Sequence, residues 1–361
     1  MPKPIARSWA TRRRAGILLR LGGIGAVLAA AGGGFAYTGG WLTPGRLSPE
    51  RVVDALGARG GDPAGHRRNH SKGVCFTGHF DANGAGSRLS KAPMLAAAGS
   101  HPVVGRFAIA VGDPAAPDAE GRVRSMAVRV TAPDGQEWRS GMNSSPVFPV
   151  ATPQAFYEQT VAARVDPATG KPDPEAAAFD QWASAAPWTR SYADQTYNSL
   201  NAFRFVDASG MRRAVRWSMQ ATTPESAVAP RDLAALGPDF LEDDLHARLA
   251  AAGPLRWRLV VTLAAPGDPT NDATRAWPEA GREQVEVGTL VVDRAEDEAS
   301  GPCRDVNYDP LVLPDGIEPS DDPILLARPP AYANSYDRRE AETGRVTAAG
   351  ASANAAGSSR P

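Results

Sequence analysis

Cysteine is nearly absent from this 361-residue chain. Cys75 and Cys303 are the only two, and they form no CxxC pair. That spacing excludes a zinc ribbon, an iron–sulfur motif and a thioredoxin-like redox site. The two could pair with each other outside the cytoplasm, and the sequence leaves open whether their Cβ atoms approach. An excess of charge is missing too. The formal net charge is −1, so no bulk electrostatic attraction to nucleic acid exists. No internal repeat is found. Proline (32) and glycine (36) are plentiful, which predicts many turns rather than long helices. The length suits one large domain or two ordinary ones.

The N-terminus has the layout of a targeting segment. Arg7, Arg12, Arg13, Arg14 and Arg20 precede an uncharged stretch from Leu21 to Gly45, apolar and rich in alanine and glycine from Gly22 to Tyr37. A cleaved signal peptide has the same basic-then-apolar order. The run also matches the length of a bilayer span, about 20 residues. We expect an anchor over residues 1–46, a single transmembrane helix. Its basic flank would stay in the cytoplasm. The rest of the chain would then sit in the periplasm, tethered to the inner membrane.

Beyond it, Ser48-Pro49-Glu50 reads as a helix start. Strands are expected at Arg122 to Thr131, Leu255 to Leu263 and Val285 to Val292. A hairpin is expected from Phe203 to Val206 and Ala214 to Met219 around Asp207-Ala208-Ser209-Gly210-Met211. Helices are expected at Pro153 to Ala163, around Glu175 to Ala186, and at Asp239 to Ala252, where Leu241, Leu245 and Leu249 line one face. Strands along the whole chain with helices between them predict one α+β domain from Leu47 to Glu340, an antiparallel sheet curled into a barrel. Residues 341–361 are mostly alanine, glycine, serine and threonine, and are expected to be a disordered tail.

Three side chains carry candidate chemistry. His70 lies in Arg67-Arg68-Asn69-His70-Ser71-Lys72-Gly73. Alone it reads as a hydrogen-bonded core histidine or as a general acid/base near neutral pH. A metal site with His66 and His79 is disfavoured by Arg67, Arg68 and Lys72 around it. Asn143, before Ser144-Ser145-Pro146, reads as a turn residue or as a donor to a developing oxyanion. Tyr332 follows Arg328 by four residues, one helical turn. A permanently cationic neighbour favours phenolate, a form that can bind a metal ion. Tyr336 competes, but only Tyr332 has the Arg-x-x-x-Tyr spacing. Otherwise these tyrosines pack a final helix.

In order along the chain, these frames resemble the heme catalase family. Arg67 to Phe80 resembles its distal-histidine strand, Ser90-Lys91-Ala92 and Arg106-Phe107 the following segment, and Asn143 to Phe148 its distal-asparagine motif. Phe203 to Trp217 is similar to the family hairpin. Asp272 to Pro278 and Val287-Gly288-Thr289-Leu290-Val291 resemble the approach to the proximal side, and Pro314 to Glu318 leads into Arg328 and Tyr332. The resemblance implies a catalase-like antiparallel barrel with surrounding helices, holding heme b (iron protoporphyrin IX). It implies His70 and Asn143 as distal catalytic groups and Tyr332 as iron ligand. Arg328 would sit beside that ligand, Phe156 against the heme face, and Arg67, Arg106 and Arg339 on the propionates.

The chain departs from the family in two respects. The threading N-terminal arm and extended C-terminal part are replaced or missing. Ala108 stands where the family has a serine touching the distal histidine, which predicts that His70 loses an orienting hydrogen bond. No residue run resembles an NADPH site. The short relatives are catalase-related peroxidases, so the expected activity is reduction of organic peroxides and hydrogen peroxide by an external electron donor. A true catalase, a hydroperoxide-rearranging relative and a membrane-tethered heme carrier are the rivals. The identity of the donor is not encoded.

Overall fold

The structure, a computed structural model, describes residues 6–38, 46–162, 175–223, 226–278 and 280–357. Two compact units divide the chain at Ser48. The first holds one helix, α1 (Ala6–Thr38). The expected transmembrane helix is not borne out: among the described residues no helix is long and apolar enough to cross a membrane. The physical reason lies in the run itself. Arg20 stands at its edge, and Gly22, Gly23, Gly25, Gly32, Gly33 and Gly34 dilute its apolar content. The membrane tether falls with it.

The second unit contains α2 (Pro49–Arg59), β1 (Gly73–Asn83), α3 (Pro93–Ala96), β2 (Ala98–Ile109), β3 (Arg124–Thr131), β4 (Glu137–Asn143), α4 (Pro153–Ala162) and α5 (Ala177–Ala185). There follow β5 (Trp188–Thr189), β6 (Tyr197–Asn198), β7 (Phe203–Val206), β8 (Arg212–Ala221), β9 (Ala227–Val228), α6 (Pro230–Leu233), α7 (Phe240–Ala252), β10 (Leu255–Leu263), β11 (Gln284–Asp297), β12 (Ile317–Pro319) and α8 (Pro323–Gly357). The sheet runs β10-β11-β1-β2-β3-β4-β6-β8, and an additional β8–β10 pairing closes these eight strands into a barrel. Every pairing is antiparallel. Closure leaves no sheet edge among these strands, which is what the scattered strand signals predicted.

Alternation along each strand separates two faces. Phe76, Phe107, Met126, Val128, Trp138, Met142, Trp217 and Trp257 are buried in one apolar core. Phe107 packs against Phe76 (ring centroids 4.6 Å) and Trp257 (5.5 Å), and Trp138 meets Trp217 edge-on at 5.1 Å. Two of these indoles have partners: Trp217 Nε1 donates to Ser140 Oγ (3.1 Å) and Trp257 Nε1 to the Gln195 carbonyl (3.1 Å), while the buried Trp138 Nε1 has none. The residues between these core positions face the other way, and there α8 packs.

α8 runs past Glu340, where composition predicts order to end, and continues to Gly357; residues 358–361 lie outside the described residues. The reason is tertiary. Glu342 accepts from the Gly65 backbone N–H (2.8 Å) and pairs with the buried Arg68 guanidinium. The loop just before His70 is thereby clamped to this helix. Among the described residues Cys75 and Cys303 form a disulfide, Cα–Cα 5.3 Å, which answers the pairing question.

Candidate active site

Four adjacent strands present the site in two rows. Register aligns Gly73, Ala108, Ser125 and Asn143 across β1 to β4, and one step along it aligns Cys75, Arg106, Ala127 and Gly141. Most of these residues are small. The wall they form is flat, and larger side chains approach it from a loop and from α8.

His70 sits on the loop before β1 with a left-handed backbone, φ 56°. A histidine held in this region is strained, and surrounding bonds must hold it there. Ser71 supplies several: its backbone N–H donates to the Val111 carbonyl (3.0 Å), and its hydroxyl bonds the Gly112 carbonyl (2.6 Å) and the Arg67 carbonyl. The imidazole is half-buried. Burial first, then the charges of Arg106, Arg328 and Arg67, push its pKa down to about 3. It is therefore neutral at physiological pH and has a bare nitrogen to act as base.

His70 does not lack an orienting hydroxyl, contrary to the expectation from Ala108. Ser125 Oγ lies 3.0 Å from His70 Nδ1 and donates to Asn143 Oδ1 at 2.7 Å. Ser125 is the direct cross-strand partner of Ala108, so the hydroxyl arrives from the neighbouring strand. Asn143, at the end of β4, has its backbone carbonyl held by Asn198 Nδ2 (3.3 Å). His70 and Asn143 are thus joined through a serine that linear inspection did not single out. Its only sequence signal is its place at the start of a valine-rich strand.

Two residues back along the same face of β4, Gly141 admits the second pair. A Cβ there would lie 2.9 Å from Arg328 Nη2 and 3.9 Å from the Tyr332 hydroxyl. Arg328 Nη2 donates to the Tyr332 oxygen at 2.8 Å, as the helical spacing predicted. Arg328 Nη1 donates to Asn201 Oδ1 (3.1 Å), and Asn201 Nδ2 donates to Asp322 Oδ2 (2.8 Å). Asp322 is fully buried and also accepts from the Ile324 backbone N–H at the start of α8 (2.9 Å). Asn201 and Asp322 were not legible in sequence, because 121 residues separate them. Pro329 and Pro330 lie inside α8 between Arg328 and Tyr332. They remove two helical donors there and limit how far this turn can rewind.

The three remaining arginines converge. Glu298, which follows β11, accepts from Arg106 Nε (2.8 Å) and Nη2 (2.6 Å) and pairs with Arg67. Burial raises the Glu298 carboxyl, but Arg106 and Arg67 outweigh it and hold it low. Arg67 is pulled down to about 9, by burial first and then by Arg106, and remains charged at pH 7. The nearby Arg339 is nearly buried, and its Nη2 has no hydrogen-bond partner. Three guanidinium groups against one carboxylate leave two positive charges. A heme carries two propionates, so the donor set fits that group in charge and in unfilled donors. Gly73 makes the cluster possible: a Cβ there would lie 2.6 Å from the Arg106 guanidinium. Phe156 lies on α4 against Phe148, ring centroids 5.6 Å apart. Among the described residues no group of three or more His, Cys, Asp or Glu could hold a metal ion. His79 faces Asp293 (3.0 Å).

Known proteins resemble this chain closely. The sequence profile of the catalase family matches residues 63–345. A catalase-related peroxidase of Synechococcus elongatus is 39% identical over 320 residues, covering 85% of this chain and 91% of the relative. A catalase-related peroxidase of Mycolicibacterium paratuberculosis is 34% identical over 303 residues, covering 82% and 96%. Among solved structures, that of a bacterial catalase superposes with a TM-score of 0.68 at 20% identity, and covers 81% of this chain but 61% of its own.

Proposed function

The chain belongs to the catalase family and is a peroxide-acting oxidoreductase that uses heme; from that premise we propose that it works as a peroxidase, reducing organic peroxides and hydrogen peroxide at heme b with electrons from an external donor. One observation carries the proposal: an imidazole and an amide share one hydroxyl two residues along β4 from the Arg328–Tyr332 pair. Heme, when bound, supplies the iron at which the O–O bond breaks and the oxidising equivalents that a donor later quenches.

The protein's own groups do the rest. His70 takes a proton from the peroxide and returns it to the departing oxygen. Asn143 donates an amide hydrogen to the same oxygen pair and stabilises the charge that develops there. Arg328, fixed by Asn201 and Asp322, donates to the oxygen of Tyr332, the group that would ligate the iron. Arg67, Arg106 and Arg339 would hold the propionates. Donor-dependent turnover is favoured over disproportionation because the match spans nearly all of two proteins named catalase-related peroxidase, and only 61% of the bacterial catalase structure.

The test is direct. Heme-loaded protein is given tert-butyl hydroperoxide or hydrogen peroxide, with and without a chromogenic donor, while oxygen is followed on an electrode. Donor oxidation with either peroxide and little oxygen release is expected. Vigorous oxygen release without donor oxidation would make the chain a small true catalase.

We also propose that the domain acts outside the cytoplasm. The Cys75–Cys303 bond supports this, since disulfides persist in oxidising compartments, as does the basic-then-apolar leader. Osmotic shock should then release the domain together with periplasmic markers; retention with cytoplasmic markers would argue for a cytoplasmic enzyme.

A further inference from the structure

We propose that Ser125 is the positioning residue of the distal pair: its one hydroxyl fixes which imidazole nitrogen of His70 is the base and which end of the Asn143 amide faces the peroxide. This rests on the peroxide reading above and deepens it.

A serine hydroxyl has one hydrogen to donate and lone pairs to accept with. Ser125 Oγ stands 2.7 Å from Asn143 Oδ1 and 3.0 Å from His70 Nδ1. An amide oxygen only accepts, so the serine hydrogen goes to Asn143. The lone pair left on Oγ accepts from His70, which places the imidazole hydrogen on Nδ1. Nε2 is then bare and serves as the base, and the Asn143 amide points its two hydrogens away from Ser125, free for the substrate. Arg106, Arg328 and Arg67, the charges that face His70, all oppose a second ring proton.

The reversed chain has the opposite chemistry. Asn143 Nδ2 would donate to Ser125, and Ser125 to Nδ1. Nε2 would carry the hydrogen and could accept none, while the amide oxygen would face the peroxide oxygens and repel them. One hydroxyl therefore sets the polarity of both distal groups together.

The register explains why β3 provides it. Ser125 pairs directly with Ala108 on one side and with Asn143 on the other. A serine at 108 lies one strand farther from Asn143 and could serve the imidazole alone. Only a hydroxyl on the middle strand reaches both groups.

Three heme-loaded variants test this: Ser125→Ala, Ser125→Thr, and Ser125→Ala combined with Ala108→Ser. The readouts are the second-order rate with peroxide, the equilibrium affinity for cyanide from the Soret shift, heme content, and the melting temperature. Cyanide is added as HCN, whose proton the distal base must take. Ser125→Ala should lower the peroxide rate about 10–100-fold, as for other partners that orient a functional imidazole, and weaken cyanide by about tenfold, with heme content and melting unchanged. Ser125→Thr should restore both. The double variant should restore cyanide binding but only part of the rate, since Asn143 still lacks its donor. If Ser125→Ala matches the wild type in rate and cyanide affinity, or if its defect follows heme loss or a lower melting temperature that threonine does not repair, the proposal is overturned. A wild-type protein that binds heme yet ignores every peroxide would sink the functional reading, and this proposal with it.

Discussion

Replacing both Cys75 and Cys303 by alanine should destabilise the domain by about 2–5 kcal/mol. The bond joins residues 228 apart in sequence. Loop-closure entropy for a ring of that size amounts to about 5 kcal/mol, and measured losses for native disulfides run from about 2 to 5. For a domain of this length the melting temperature should fall by about 3–8 °C. The effect should also reach the site. Cys303 and Val306 carbonyls each accept from Arg67 Nη2 at 3.1 Å. The buried cluster of Cys75, Cys303, Val306 and Tyr308 has Tyr332 packed against it. Loosening that segment frees Arg67 and the floor under Tyr332, so heme retention should drop with stability. Urea unfolding followed by tryptophan fluorescence and circular dichroism gives the first quantity, and the Soret-to-protein absorbance ratio during heme competition gives the second. Wild-type protein unfolded in reductant should match the double variant. If reductant leaves the wild-type midpoint unmoved and the variant coincides with it, the disulfide does not stabilise this fold.

Tyr332→Phe should lose heme or its high-spin phenolate spectrum, because Arg328 donates to the Tyr332 hydroxyl; an unchanged spectrum and occupancy would refute the assignment. His70→Ala should keep heme and slow the initial reaction with peroxide about 10²–10⁴-fold in stopped flow. His70 also predicts a pH dependence of stability. Its pKa is about 3 when folded against an ordinary value of 6.5, so between these values the unfolded chain binds a proton that the folded one excludes. The stability from the neutral imidazole is complete above 6.5 and is lost as pH falls toward 3, with a slope of up to about 1.4 kcal/mol per pH unit. Urea midpoints from pH 7 to 4 should fall less steeply in His70→Asn, and parallel profiles would contradict this. Gly141→Ala should favour the strand by about 0.5–1 kcal/mol yet press on Arg328. Unchanged or higher melting with weaker heme retention is expected, and unchanged retention would show that the pocket absorbs a methyl.

Much of the site was legible because it is carried by short frames. Arg328 and Tyr332 are one helical turn apart, so the sequence spacing is itself the contact. The central strands were legible because their alternation is strong, and the closed barrel confirms the expected curl of the sheet. The α1 segment shows the limit of such reading: basic residues followed by an uncharged run set an expectation that its own glycine content undoes. The end of α8 shows another. Composition past Glu340 suggested no order, but Glu342 finds Arg68 and Gly65, which no local propensity encodes.

What the sequence by itself determined is a set of candidate groups and their local spacing: His70, Asn143, the Arg328–Tyr332 turn, and the arginines at 67, 106 and 339. What only the tertiary structure decided is which groups stand between them. Ser125 replaces the hydroxyl that Ala108 lacks because strand register, and not chain order, sets the neighbours on a sheet. Glu298 enters the arginine cluster, and Asp322 backs Arg328 through Asn201, across separations of more than a hundred residues. Such contacts leave no periodic trace in a single chain. A one-dimensional pattern records which side chains share a face, while the partners across that face depend on how strands pair and where a helix lands.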